Sequence, residues 1–172
     1  MALGRRWIGH AAEWRDHGRR NGLAAFVGTN ARMTDLQAAL GRSQLARLPA
    51  NIRRRRAVAE AYLAAFADLP GLRLPFVAAF ARSAWHLFVV RVAARKRDAF
   101  RKALAARGVG TQVHYPVVYD HPAFRDARPS GGCPVAEKAA QEVVSLPMFP
   151  GLTDREVDRV ISAVRAAAGR VL

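Results

Sequence analysis

The side chains of this 172-residue sequence best suited to acid–base, nucleophilic or metal chemistry are five histidines, three lysines and one cysteine. His114 and Tyr115 end an apolar run just before Pro116, a usual place for site residues in an α/β protein. His86 lies within Trp85-His86-Leu87-Phe88-Val89-Val90-Arg91-Val92. On that strand it shares a face with Phe88 and Val90, and it reads either as a hydrogen-bonded histidine at the core edge or as a site residue. His114 and His121 are separated by a turn, and no third ligand accompanies them, so a metal centre is not indicated. Lys96 stands among charges in Arg95-Lys96-Arg97, Lys102 is on the exposed side of a helix, and Lys138 is in a helix near the C-terminal end. None of these settings would desolvate an amine and lower its pKa. Cys133, in a Ser-Gly-Gly-Cys-Pro turn, reads as a loop thiol; a single cysteine excludes an internal disulfide and suits a reducing compartment. A polar loop, Gly28-Thr29-Asn30-Ala31-Arg32, gathers a glycine, an amide and a guanidinium. No self-contained catalytic motif is present: there is no G-x-S-x-G, no phosphate-cradling glycine loop, and no H-E-x-x-H or paired-cysteine spacing.

The elements that must position these residues can be read from pattern. A helix over residues 2–17 carries Leu3, Trp7, Ala11 and Trp14 on one face, with Gly18 as its stop and a loop from His17 to Gly22. After the polar loop, Thr34 and Gln37 have capping-box spacing and open a helix from Met33 to Leu48, where Leu36 and Leu40 stack one turn apart. Pro49 marks a new start. A long helix from Ile52 to Leu69 then presents Ile52, Val58, Tyr62, Phe66 and Leu69 as its apolar side. Arg53 to Arg56 surround that helix instead of forming a stripe, and no aromatic residues interleave with them. They read as a solvated, partly salt-bridged surface. Leu72-Arg73-Leu74 begins a strand, and Trp85–Val92, apolar on both faces, reads as a central one. A helix from Lys96 to Arg107 turns Phe100, Ala103 and Leu104 inward and stops at Gly108. A second strand spans Val109–Tyr115, followed by a turn-rich segment to Pro134, a short helix from Val135 to Val144 and an extended run from Ser145 to Gly151. The last helix is opened by a Thr153/Glu156 capping box, with staple spacing between Leu152 and Val157. Val157, Val160, Ile161 and Val164 form its stripe. The expected architecture is α/β: a helical connector, then a short sheet packed with helices, in one domain over residues 1–172.

Hydrophobic residues make up 51% of the chain, enough for a real core, and the net charge is +15, almost all of it arginine. That excess fits a nucleic-acid partner, a compositional bias shared with the abundant alanine, or half of a protein whose acidic part lies elsewhere. The N-terminus has no apolar signal region, being interrupted by Arg5, Arg6 and His10, and no stretch approaches a membrane span. The chain reads as cytoplasmic.

The wording of the polar loop and its helix goes further. Gly28-Thr29-Asn30-Ala31-Arg32-Met33-Thr34-Asp35-Leu36-Gln37-Ala38-Ala39-Leu40-Gly41, continued by Gln44-Leu45, resembles a block of the DegT/StrS family of sugar aminotransferases, which depend on pyridoxal phosphate. The resemblance extends to Trp14-Arg15-Asp16-His17-Gly18, to the arginines before Tyr62, and to Ser83-Ala84-Trp85-His86-Leu87-Phe88. It continues through Gly110–Pro116 and through Ser145-Leu146-Pro147-Met148-Phe149-Pro150-Gly151-Leu152-Thr153. It covers about Trp14 to Ala167. The departures are Thr29 and Ala31, where aromatic residues are common, a slightly shorter turn after Tyr115, and His121-Pro122 in place of glutamine-proline.

These blocks are similar to the C-terminal half of family members. The resemblance therefore implies the small domain of a fold type I aminotransferase over residues 33–172, with residues 1–32 as the connector from a large domain upstream. That large domain would carry the Schiff-base lysine and the acidic partner of the pyridine nitrogen. The implied activity is transfer of an amino group from glutamate, through pyridoxal 5'-phosphate, to a keto-sugar attached to a nucleotide, in a dimer. Asn30 would reach the cofactor phosphate in the partner's site, an amide donor suiting a phosphate oxygen, and Arg32 would add positive potential. His86, His114 and Tyr115 match positions near the sugar-nucleotide cleft. No catalytic residue is expected in this chain, because the lysine that holds the cofactor is implied elsewhere; alone, the chain is expected to be inactive. Two other readings stay open: a non-catalytic dimerisation or regulatory module pairing with a full-length homologue, and an arginine-rich nucleic-acid binder.

Overall fold

The computed structural model describes residues 2–172, with side chains from Trp7 onward. The chain divides into two compact units at Leu48/Pro49.

The first unit begins with helix α1 (Ala2–Trp14). A two-residue hairpin comes next, β1 (Arg19–Arg20) paired antiparallel with β2 (Leu23–Ala24). The sequence reads this stretch as plain loop, yet Asn21-Gly22 is a strong type I′ turn signal, and both residues have positive φ (51° and 83°). The capping box at Thr34 forms: its N–H donates to the Gln37 side-chain oxygen at 2.9 Å, and the Gln37 N–H donates back to its hydroxyl at 3.3 Å. Helix α2 then runs Asp35–Phe66 without a break. The sequence reading of two helices divided at Pro49 is corrected. Proline deletes the bond to Leu45 and costs a helix about 3 kcal/mol, but the turns beyond it are anchored by tertiary contacts. All the buried residues of α2 (Val58, Ala59, Tyr62 and Phe66) lie beyond the proline.

The second unit has a continuous hydrophobic core. Strand β3 (Phe88–Arg91) pairs antiparallel with β4 (Val143–Leu146), Phe88 opposite Leu146 and Arg91 opposite Val143. Single bridges flank this pair, Arg73 to Arg91 on one edge and Gln112 to Ser145 on the other, so each strand has one bridged residue on its outer edge. The sequence reads β3 as a central strand; it is one of only two in its sheet, with a single bridge on its outer edge. The expected strand over Val109–Tyr115 reduces to the one bridge at Gln112, with Gly110 and the Pro116 stop leaving little regular backbone between them. The helix expected to reach Val144 ends at Glu142 (α4, Pro134–Glu142), and Val143 and Val144 are strand. Both are β-branched, and the ladder with β3 outweighs continuation of the helix.

Helix α3 (Ala94–Ala105) buries Phe100 and Leu104, as expected, and packs against α4 and α5. Helix α5 (Asp154–Val171) carries the full Thr153/Glu156 capping box and buries Val157, Val160 and Val164. Tyr62 and Phe88 meet edge to face at 5.1 Å in the middle of the core, and the Tyr62 hydroxyl donates to the Pro147 carbonyl at 3.1 Å. Burial there pushes the phenol well above its ordinary pKa.

Candidate functional site

The candidate residues fall in separate places: Asn30 and Arg32 in the first unit, His86, His114 and Tyr115 in the second.

Asn30 stands on a segment laid antiparallel beside the end of α1. The Thr29 N–H donates to the Trp14 carbonyl (2.8 Å), the His17 N–H to Thr29 (3.0 Å) and the Ala31 N–H to Arg15 (2.9 Å). The two segments cross closely because both crossing residues are glycines. Gly18 has φ +67°, and a Cβ there would overlap the Phe26 carbonyl; a Cβ on Gly28 would overlap the Gly18 nitrogen. The Arg32 guanidinium is bound by the Asp16 carboxylate, directly across the ladder. That hydrogen bond, with the charges of Arg32, Arg19 and His17, holds the Asp16 carboxyl below its ordinary pKa. Asn30 is exposed, with backbone fixed on both sides and its amide available to an acceptor.

His86 is not a strand residue, as the sequence suggests. β3 begins at Phe88, and Trp85 has φ +48°, a left-handed turn that lifts His86 to the surface. Such a conformation in a bulky residue needs support, and it has three kinds. The Trp85 N–H donates to the Ser83 hydroxyl at 3.1 Å, and the Trp85 ring packs on Phe88 at 5.5 Å. The third is Arg55, whose Nη1 donates to the carbonyls of Trp85 (3.0 Å), His86 (2.9 Å) and Met148 (3.1 Å). Its neighbours act alike: Arg54 bonds the Leu152 carbonyl and Asp154 at the start of α5, and Arg56 reaches the Ser83 carbonyl at 3.4 Å. The reading of Arg53–Arg56 as a solvated, partly salt-bridged surface holds for the Arg54–Asp154 ion pair but misses the loop carbonyls that Arg54, Arg55 and Arg56 bind. Helical spacing spreads these arginines over the Ser83–His86 loop and the Met148–Leu152 turn, and each fork finds carbonyls there.

His114 is half-buried, and its Nδ1 lies 2.9 Å from the Ser145 hydroxyl. Tyr115 is 68% exposed, with its ring edge-on to the His114 imidazole at 4.8 Å. His86 precedes β3 where Phe88 faces Leu146, and His114 is tied to the residue before Leu146. Both therefore come to the same end of the β3–β4 pair. Beyond Tyr115 lies an apolar cavity of about 530 Å³ lined by Val117, Tyr119, Cys133 and Ala140 among others. Its wall is braced by Tyr119, which donates to Glu137 (2.7 Å) and accepts from the Cys133 N–H (3.1 Å). The Glu137 bond, with some burial, pushes the Tyr119 phenol up to about 12.

Lys96 donates to the Leu172 backbone carbonyl, and Lys102 and Lys138 are exposed. Among the described residues no three histidine, cysteine or acidic side chains cluster as metal ligands, and no helix is long and apolar enough to cross a membrane.

Residues 6–165 match the model of the DegT/DnrJ/EryC1/StrS aminotransferase family. The chain belongs to that family. It is similar to the dTDP-3-amino-3,4,6-trideoxy-alpha-D-glucose transaminase of Streptomyces venezuelae, with 46% identity over 84% of this chain and 38% of the relative. It is also similar to the erythromycin biosynthesis sensory transduction protein EryC1 of Saccharopolyspora erythraea, with 43% identity over 82% of this chain and 38% of that protein. Among solved structures, DesV of S. venezuelae in complex with a ketimine intermediate superimposes with a TM-score of 0.86 at 41% identity. That match covers 96% of this chain and 45% of the DesV chain. The chain thus spans less than half the length of the relatives it matches. The fold-class expectation, a domain of such an aminotransferase with helices around a small sheet, agrees with these relatives.

Proposed function

We propose that this chain is the C-terminal portion of a pyridoxal-phosphate-dependent sugar aminotransferase. The reaction would move an amino group from glutamate to a nucleotide-linked keto-sugar, in amino-sugar biosynthesis. The carrying observation is the likeness to DesV, which covers nearly this whole chain at 41% identity. The name of the S. venezuelae transaminase, a dTDP-amino-sugar enzyme, supports the substrate class. When bound, pyridoxal phosphate supplies the electron sink for amino transfer. This chain's own residues would serve around it. Asn30, on its braced loop, donates its amide to a phosphate oxygen, with the Arg32–Asp16 pair holding the loop beside it. His86, His114 and Tyr115 line the sugar-nucleotide side. The residues present fit that share of the work: Lys102 and Lys138 are exposed and half-buried Lys96 is engaged with the Leu172 carbonyl, which supports a Schiff-base lysine outside this chain. The Schiff-base lysine therefore comes from a large domain, residues 1–32 connect to it and 33–172 form the small domain. The enzyme works as a dimer in the cytoplasm, and this chain alone is inactive.

The test is reconstitution. The purified chain mixed with pyridoxal phosphate should give no visible Schiff-base absorbance band. The chain joined to or co-expressed with a lysine-bearing domain of the family should give the band and glutamate-dependent amination of a dTDP-keto-sugar, with Asn30→Ala weakening cofactor retention. A Schiff-base band from the chain alone would overturn the division of labour.

A further inference from the structure

Apart from the Tyr62 hydroxyl, Ser145 is the one buried polar side chain among the described residues, 4% exposed between the apolar Val144 and Leu146 of β4. A hydroxyl in such a place costs stability unless it is paired, and its partner is the Nδ1 of His114 at 2.9 Å. The same residue also holds the backbone two positions before that histidine. The Ser145 N–H donates to the Gln112 carbonyl at 2.8 Å, and the Gln112 N–H donates back at 3.2 Å. On its other edge Ser145 is in register with Val89 of β3. The segment carrying His114 and Tyr115 has no ladder of its own, so Ser145 fixes it at two points, one in the backbone and one at the ring. Tyr115, edge-on at 4.8 Å, flanks the imidazole.

We infer that Ser145 is a positioning residue for His114. By bonding Nδ1 it holds the ring in one orientation and leaves Nε2 as the nitrogen for a ligand. This rests on the proposed contact of His114 with the nucleotide sugar, and the test separates the two.

Histidine ring nitrogens of the ¹⁵N-labelled full chain report the hold directly. Wild-type His114 should show a hydrogen-bonded Nδ1, unlike exposed His121. Ser145→Ala should release it to a solvent-like mixture, and Ser145→Thr should keep it. A solvent-like His114 in the wild type, or an unchanged one in Ser145→Ala, overturns the inference. If Ser145→Ala does not fold, Ser145→Val read against Ser145→Thr isolates the hydroxyl at constant shape. In the reconstituted enzyme, Ser145→Ala should raise KM for a dTDP-keto-sugar about tenfold with a smaller change in kcat, and Ser145→Thr should restore it. If His114→Ala raises KM and Ser145→Ala does not, the positioning role fails. If His114→Ala leaves KM unchanged, the site reading itself fails, and this inference with it.

Discussion

On either side of Pro49 the chain is held together by different means. In the second unit aromatic and branched side chains fill a core: Tyr62, Phe66, Phe88, Phe100 and Leu104 are fully buried. In the first unit the only buried residue among those described is Gly18, while Trp7, Ile8, Leu36 and Leu40 are each more than 60% exposed. There the shape depends on a backbone ladder, two crossing glycines and the ion pairs Arg20–Glu13 and Arg32–Asp16. Hydrogen bonds and exposed ion pairs contribute little net free energy in water, whereas apolar burial contributes about 25 cal/mol per Å². The second unit is therefore built to be stable on its own terms. The first has a defined local geometry and leaves large apolar side chains such as Trp7, Ile8, Leu36 and Leu40 exposed.

The sharpest way to break this contrast is a pair of truncations. Phe88→Ala should cost about 3–5 kcal/mol in urea unfolding, and Leu40→Ala, on an exposed helix face, should stay within about 0.5 kcal/mol. Equal losses would mean that the first unit has a core after all. Next in size, Arg55→Met should leave the Trp85, His86 and Met148 carbonyls short of a donor and cost about 2 kcal/mol. It should also free the exchange of amides around Trp85. A smaller effect sharpens the comparison because the chemistry is the same in both units: each has a threonine capping box. Thr153→Ala should lower global stability by about 1 kcal/mol, since α5 is part of the core. Thr34→Ala should only fray the start of α2, seen as local hydrogen exchange with an unchanged unfolding midpoint.

The smallest effect is pH. Arg32 holds Asp16 below the usual carboxylate value of about 4, and Arg20 does the same for Glu13. A depressed folded pKa means stability that is present above the unfolded value and lost as pH falls through the folded one. Acidification below about pH 4 should therefore speed exchange at the Thr29 and Ala31 amides. The Phe88–Leu146 ladder should hold on to lower pH. Simultaneous loss of both would show that the units are not energetically distinct.

Much of this was legible in the sequence. The Thr153/Glu156 and Thr34/Gln37 boxes, the inward faces of α3 and α5 and the apolar strand at Phe88 depend on local spacing, which one helix turn or one strand pleat decides. The family resemblance and the grouping of His114 with Tyr115 were also readable. The Asn21-Gly22 turn signal stands in the sequence too, within a stretch that otherwise reads as loop. The role of Ser145 left a weaker trace, a lone hydroxyl in an apolar strand.

What the sequence determined by itself, then, was helix starts, apolar faces and family. Tertiary structure decided the rest. Pro49 could not end α2, because the helix beyond it is anchored by burial and by Arg54–Arg56. Those arginines could not be told from a solvated surface, because their partners are carbonyls of loops from about 30 to 100 residues away. The place of His86 likewise depended on the turn at Trp85, which those distant donors support. Local pattern fixes what a residue prefers; which distant carbonyl lacks a donor is settled only when the chain has packed.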